Sequence, residues 1–184
     1  AGESRLAVAG GIAFIAGNAI LLAITVRLLR HALGARRRVF TVIYGMALAC
    51  VLGGATIATL FLSGTAAVAV AWPTLRAAHA WLNLFGFVGL VLAATLIHLL
   101  PTVAGARIDQ GRIAMGSVAA LTAGPAIVAI GFIVVAPALT GLGGCLVIAG
   151  ALGLGGHAIR DLRRRAAWTG DHAWHRSATV GLAA

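Results

Sequence analysis

The chain has 184 residues, 61% of them hydrophobic, with four acidic side chains and a formal net charge of +10. Its mean hydropathy of +1.03 excludes a separate soluble domain of any size, and several apolar runs match the ~20 residues that a helix needs to cross a bilayer core. Nucleic-acid binding is excluded by where the charge sits: all fourteen basic residues are arginines, and most of them stand at the ends of the apolar runs.

In chain order the first run is Leu6–Leu29, too long and too often interrupted by glycine for a signal peptide. Arg27 stands in its last turn, and Arg30, Arg36, Arg37 and Arg38 follow it. A second span over Phe40–Leu62 leads to a connection with no charge before Arg76. The third covers Ala77–Val103 and ends before Arg107 and Arg112. The fourth, Ile113–Ala136, holds Pro125 at mid-span, where a kink is expected. The fifth, Leu139–Ile159, is followed by Arg160, Arg163, Arg164 and Arg165. These runs are unbroken rather than alternating, so helices and not barrel strands satisfy the backbone. The fold class is therefore all-α, a polytopic transmembrane helix bundle of five spans.

The arginines gather on alternate connections, which places the N-terminus outside and residues 160–184 in a cytoplasmic tail. There they meet anionic headgroups of the lipid bilayer. Trp72 and Trp81 then mark the outer interface, and Phe40, Tyr44 and Trp168 the inner one. The last residues, from His175 to Ala184, read like the opening of a further span, so the chain is expected to be part of a longer one.

Helix contacts are expected where small residues recur every fourth position. Four such stripes are present: Ala9/Ala13/Gly17, Gly45/Ala49/Gly53, Gly116/Ala120/Gly124 and Gly141/Cys145/Ala149/Gly153. One more step on the last reaches His157, which is expected to face protein. Cys50 and Cys145 read as small packing residues, since their spacing is that of no metal site.

The third span carries the polar groups that ask for a reason. His79 and Asn83 are four apart and share a helix face. His98 lies nineteen residues from His79, about 28 Å along a helix and about 100° around it, so one cofactor cannot bridge the two. His98 and His157 both fall near the inner ends of their spans and could meet. An ionisable residue inside a span is a functional candidate because its insertion is costly. A neutral histidine can also simply donate to a neighbouring carbonyl, with Asn83 as an interhelical hydrogen bond.

The run "HAWLNLFGFVGL", continuing through "HLLPTVAG", resembles the histidine-bearing helix of the NnrS family of haem- and copper-containing membrane proteins. The matching positions are His79, Ala80, Leu84, Phe85, Gly86, Phe87, Pro101 and Gly105. The run is similar also to the corresponding helix of haem–copper oxidases and nitric-oxide reductases. The "HAxLNLxGFVGL" pattern and the tail "WHR" are most like the membrane region that precedes copper nitrite reductase or multicopper-oxidase modules in actinobacterial proteins. The sequence departs from these families at Trp81, where a second histidine often stands, and at Leu82, where NnrS has an acidic residue.

The resemblance implies haem b held through His79, His98 or His157, with Asn83 beside the site, and copper as a second possibility. A copper ion held by nitrogen needs more than one imidazole, whereas haem needs one or two axial ligands. It further implies the membrane part of an oxidoreductase in a bacterial inner membrane, passing electrons to or from copper or nitrogen-oxide chemistry. The partners would be a cupredoxin-type domain, further helices of the same chain, or a homo-oligomer. The tail run "DHAWHR" sets His172 and His175 beside Asp171, a weaker metal-binding pattern. Against the redox class stands a cofactor-free bundle acting as anchor, assembly subunit or transporter. Catalysis by side chains alone is disfavoured, because Glu3, Asp109, Asp161 and Asp171 all lie outside the spans and no nucleophile has a base at a working spacing.

Overall fold

The structure is a computed structural model that describes residues 2–31, 35–103, 112–163 and 181. Its elements are helices α1 (Gly2–His31), α2 (Ala35–Leu62), the short α3 (Ala66–Val70) and α4 (Trp72–Trp81). A π-helical segment (Leu82–Gly89) follows, then α5 (Leu90–Val103), α6 (Arg112–Ile133) and α7 (Pro137–Arg163). Five helical stretches are long and apolar enough to cross a membrane: Arg5–His31, Phe40–Leu62, Trp72–Leu99, Arg112–Ile133 and Pro137–Arg160. The chain is thus a multi-pass membrane bundle. The tail motif with His172 and His175 lies outside the described residues.

The third span starts five residues earlier than expected, because Pro73 occupies the first turn of α4. Proline is well placed there, where its missing N–H would have no helical partner anyway. Arg76 therefore lies inside the helix and is exposed, and its long side chain can reach headgroups from one turn in. Helix α6 continues through Pro125, which is fully buried.

Two helix pairs flank this third span. Helix α1 packs on α2, α6 packs along the length of α7, and α4 and the π segment run between α2 and α6, with α5 continuing against α2. The α1 seam is Val8, Gly11, Ile15, Asn18, Leu22 and Thr25, the partly covered positions of an otherwise exposed helix. On α6 the seam facing α7 runs through Ser117, Leu121, Gly124, Val128 and Gly131, and on α7 the facing seam runs through Gly143, Val147, Gly150, Leu154 and His157. Every seam alternates steps of three and four, the spacing of long helices packed at a shallow angle.

The fourfold stripes hold only in part: Gly45, Gly53, Gly124 and Gly153 meet neighbouring helices, and the rest are corrected by these seams. Ala9, Ala13, Gly17, Gly141, Cys145 and Ala149 are all exposed, and Gly17, Gly116 and Gly141 have open space beside them. A step of four advances about 400° around a helix, so such a stripe drifts by about 40° each time and winds off a long contact face. His157 does face protein, at 3% exposure, but as a member of the 3.5-residue seam.

Along the α6–α7 seam, backbone meets backbone. A Cβ placed on Gly143 would stand 2.6 Å from Val128 N and 2.8 Å from Gly124 O, and one on Gly150 would stand 2.8 Å from both Leu121 N and Ser117 O. Side chains are absent there because no volume is left for them. The central core beside the third span is Ile43 and Ala47 of α2 with Leu90 and Ala94 of α5.

Candidate functional site

The polar residues of the third span gather where its helix widens. At Leu82 the main-chain N–H is shared between the carbonyls of Ala78 and His79, and the π pitch then runs to Gly89. π turns strain the regular ladder and often mark sites. Asn83 sits at the first widened turn and its amide donates to the His79 carbonyl at 2.8 Å, which satisfies a backbone acceptor in surroundings without water.

His79 reaches across to α2. Its Nδ1 lies 2.8 Å from the carbonyl oxygen of Gly54. A carbonyl only accepts, so Nδ1 carries the proton, and the Asn83 amide 3.2 Å from the same nitrogen is a neighbour and not a donor to it. The remaining ring nitrogen, Nε2, keeps its lone pair. It has no hydrogen-bond partner among the described residues and is not enclosed.

Gly54 permits this approach. Any side chain there would collide with the Asn83 amide, and one turn further on Gly86 presses against Cys50, where a Cβ would lie 2.8 Å from both Cβ and Sγ. The same α2 face continues to Tyr44, whose hydroxyl pairs with that of Thr95 at 3.0 Å, and ends at Phe40, which meets the His98 ring edge-on at 5.1 Å. The interface between α2 and the third span therefore has polar links towards both ends, with Cys50 against Gly86 and the Ile43–Ala47–Leu90–Ala94 core between them.

The remaining sequence-expected residues separate. His98 is exposed on α5, which leans on α2, whereas His157 is buried on α7, which packs on α6. His157 accepts at Nδ1 from the Arg160 guanidinium at 2.9 Å, so its proton is on Nε2. The two inner histidines thus stand in different helix pairs with different partners. Sequence reasoning missed Gly54, Arg160 and the Tyr44–Thr95 pair. Arg160 had a signal, since it lies one turn from His157 on the same helix; Gly54 had none to distinguish it from Gly53.

One apolar cleft of about 330 Å³ opens between the π segment and α5 on one side and α6 and α7 on the other. Val88, Leu92 and Leu96 face Leu121, Val147 and Leu154 across it. Its walls hold no histidine, methionine, cysteine or tyrosine, so they offer no ligand to iron. Around His79 the fit is different: one imidazole is oriented by a backbone carbonyl, as metal-bound histidines usually are. Among the described residues no group of three or more His, Cys, Asp or Glu converges, as a copper site of several ligands would need.

Phe61 stacks on Trp72 with centroids 3.8 Å apart, and Trp81 stacks on Phe85 at 4.5 Å. These rings brace the start of the third span on both sides of His79. Comparison of the chain with protein-family models, curated proteins and solved structures finds no match.

Proposed function

We propose that the chain is a redox module of a bacterial inner membrane, in which His79 would hold haem b. The observation that carries this reading is the bond from His79 Nδ1 to the Gly54 carbonyl. It selects the tautomer whose Nε2 lone pair can bind iron and holds the ring against rotation. The likeness of residues 79–105 to the NnrS histidine helix adds support. When bound, the haem supplies a one-electron carrier whose potential follows its axial ligand and surroundings.

The chain's own residues have defined tasks in this reading. Gly54 gives the carbonyl that orients the ring, and Asn83 closes the widened turn beneath it. Trp81 and Phe85 form an apolar wall along the same span. Any further protein group holding the haem would come from further helices or from a second copy of the chain. A cupredoxin-type domain would exchange electrons at the outer face, making the assembly the membrane part of an oxidoreductase.

A cofactor-free anchor or assembly bundle is favoured by a different observation. Each histidine in a span already has a protein partner: Gly54 for His79, Phe40 for His98 and Arg160 for His157. The absorption spectrum of the purified protein separates the two readings. The redox reading expects a Soret band that shifts on reduction and is lost in His79→Ala but kept in His98→Ala and His157→Ala. A colourless preparation from haem-replete cells, or a band indifferent to His79→Ala, overturns it.

A further inference from the structure

Between the second and third spans the chain forms an uncharged connection whose surface is apolar, and the bundle leaves it uncovered. No charged residue occurs from Val39 to Leu75. Within this stretch α3 consists only of alanine and valine, has no buried residue, and exposes 84% of Val70. Surrounding α3 with water would solvate these side chains at a cost, whereas both of its neighbours run directly into lipid-facing spans.

Much of the backbone of the connection bonds within it. After α2 the N–H of Gly64 bonds to Phe61 O at 3.0 Å and that of Thr65 to Leu60 O at 3.3 Å, with Gly64 at φ 76°. The N–H groups of Val68 and Ala69 return to Thr65 O, and that of Ala71 to Ala67 O. Even the hydroxyls of Ser63 and Thr65 pair with each other at 2.9 Å. Bonds closed within the connection suit a partly dehydrated surface, where an unpaired backbone group costs more than in bulk water. At its far end Trp72, a residue type that prefers the headgroup level, stacks on Phe61 of α2.

We propose that residues 63–72 form an interfacial strap docked into the headgroup–acyl boundary, with the phospholipid surface as its partner. Short apolar segments bind there by burying non-polar area at the edge of the acyl region. The strap fixes the height at which the third span enters the membrane. It therefore sets the depth of His79, seven residues beyond Trp72 and about 10 Å further in. The inference stands whether or not His79 binds haem.

The test uses the full chain, with the free thiols Cys50 and Cys145 replaced by alanine, carrying Val70→Cys labelled by an environment-sensitive fluorophore and reconstituted in phosphatidylcholine vesicles. Ile148→Cys, on the lipid-facing side of α7 with 62% exposure, calibrates lipid contact and reports insertion of the bundle. Brominated phosphatidylcholine is expected to quench the Val70 label to a similar extent as the Ile148 label, with little effect of aqueous iodide on either. Adding Val68→Asn to the Val70 label should reverse that preference while leaving the Ile148 signal in the same background unchanged. Iodide quenching that exceeds bromolipid quenching at Val70, with the Ile148 label still in lipid, overturns the strap.

Discussion

The α6–α7 pair and the contact between α2 and the third span solve the same problem by different means. In the first, glycines bring two backbones together over the whole length, and the contact is made by dispersion between main chains. In the second, the helices meet through side chains: an imidazole on a carbonyl, two hydroxyls, a ring edge. The first carries one imidazole, His157 at its inner end, and that ring is tied to Arg160 of its own helix. The second has an oriented imidazole, and its helix carries the π segment. Rigidity and reactivity are thus placed on different helix pairs, with Gly86 near Pro125 joining them, where a Cβ would lie 3.5 Å from the proline ring.

The largest effect is expected where that division is sharpest. Gly143→Leu must displace the backbone of Val128 and Gly124, and should cost about 3 kcal/mol or more, the upper end for overpacking. Gly144→Leu, with nothing within 4 Å of its Cβ position, should be near neutral. Thermal unfolding in detergent reads both. Similar losses at the two positions would show that α6 and α7 are not in backbone contact.

A second contrast addresses the other interface. Gly54→Ala pushes a methyl group into the Asn83 amide, and about 1–3 kcal/mol is expected, whereas the Cβ position of Gly53 meets only Leu82 Cδ1 at 3.4 Å. Asn83→Ala should recover most of the Gly54→Ala loss, because the two substitutions share one space. Additive losses would place Asn83 away from Gly54.

These two contrasts also mark what the sequence could and could not reveal. Span number followed from apolar length and arginine flanks, because hydropathy in a bilayer depends on composition more than on detail. The contact faces did not follow from fourfold stripes, since Gly143 and Gly144, or Gly53 and Gly54, are equivalent until a seam of period 3.5 is laid along the helix. His79 and Asn83 stood out as polar residues in an apolar run. Their partner did not, because a glycine carbonyl has no signature. The strap was also illegible, since "TAAVAV" reads equally as loop or as span.

A third effect is smaller and of opposite sign. Both turns on the arginine-poor side end their helix with paired N–H bonds back into the last turn, and the residue in the left-handed region is Gly64 in one but Val135, at φ 54°, in the other. A β-branched residue there is strained, by about 1–3 kcal/mol. Val135→Gly removes that strain and gives back about 0.5–1 kcal/mol in unfolded-chain entropy. A net gain of about 1 kcal/mol in detergent stability is expected, and a loss would place Val135 in an unstrained conformation.

The smallest expected effect lies beside the residue of most interest. Asn83 donates to His79 O within its own helix, so its hydrogen bond closes a π turn but ties no two helices together. The bond that crosses is His79 Nδ1 to Gly54 O. Polar contacts in membrane bundles average about 0.6 kcal/mol, because the separated helices find other partners. Asn83→Leu, similar in shape, should therefore cost about that or less. His79→Ala should cost more, since it removes the crossing bond and leaves a void beside α2. Unfolding of both variants in one detergent, without added haem, gives the order directly. If Asn83→Leu were the costlier change, the π turn and not the imidazole link would be what holds the third span to α2, and His79 would then be left with no structural task beyond presenting Nε2.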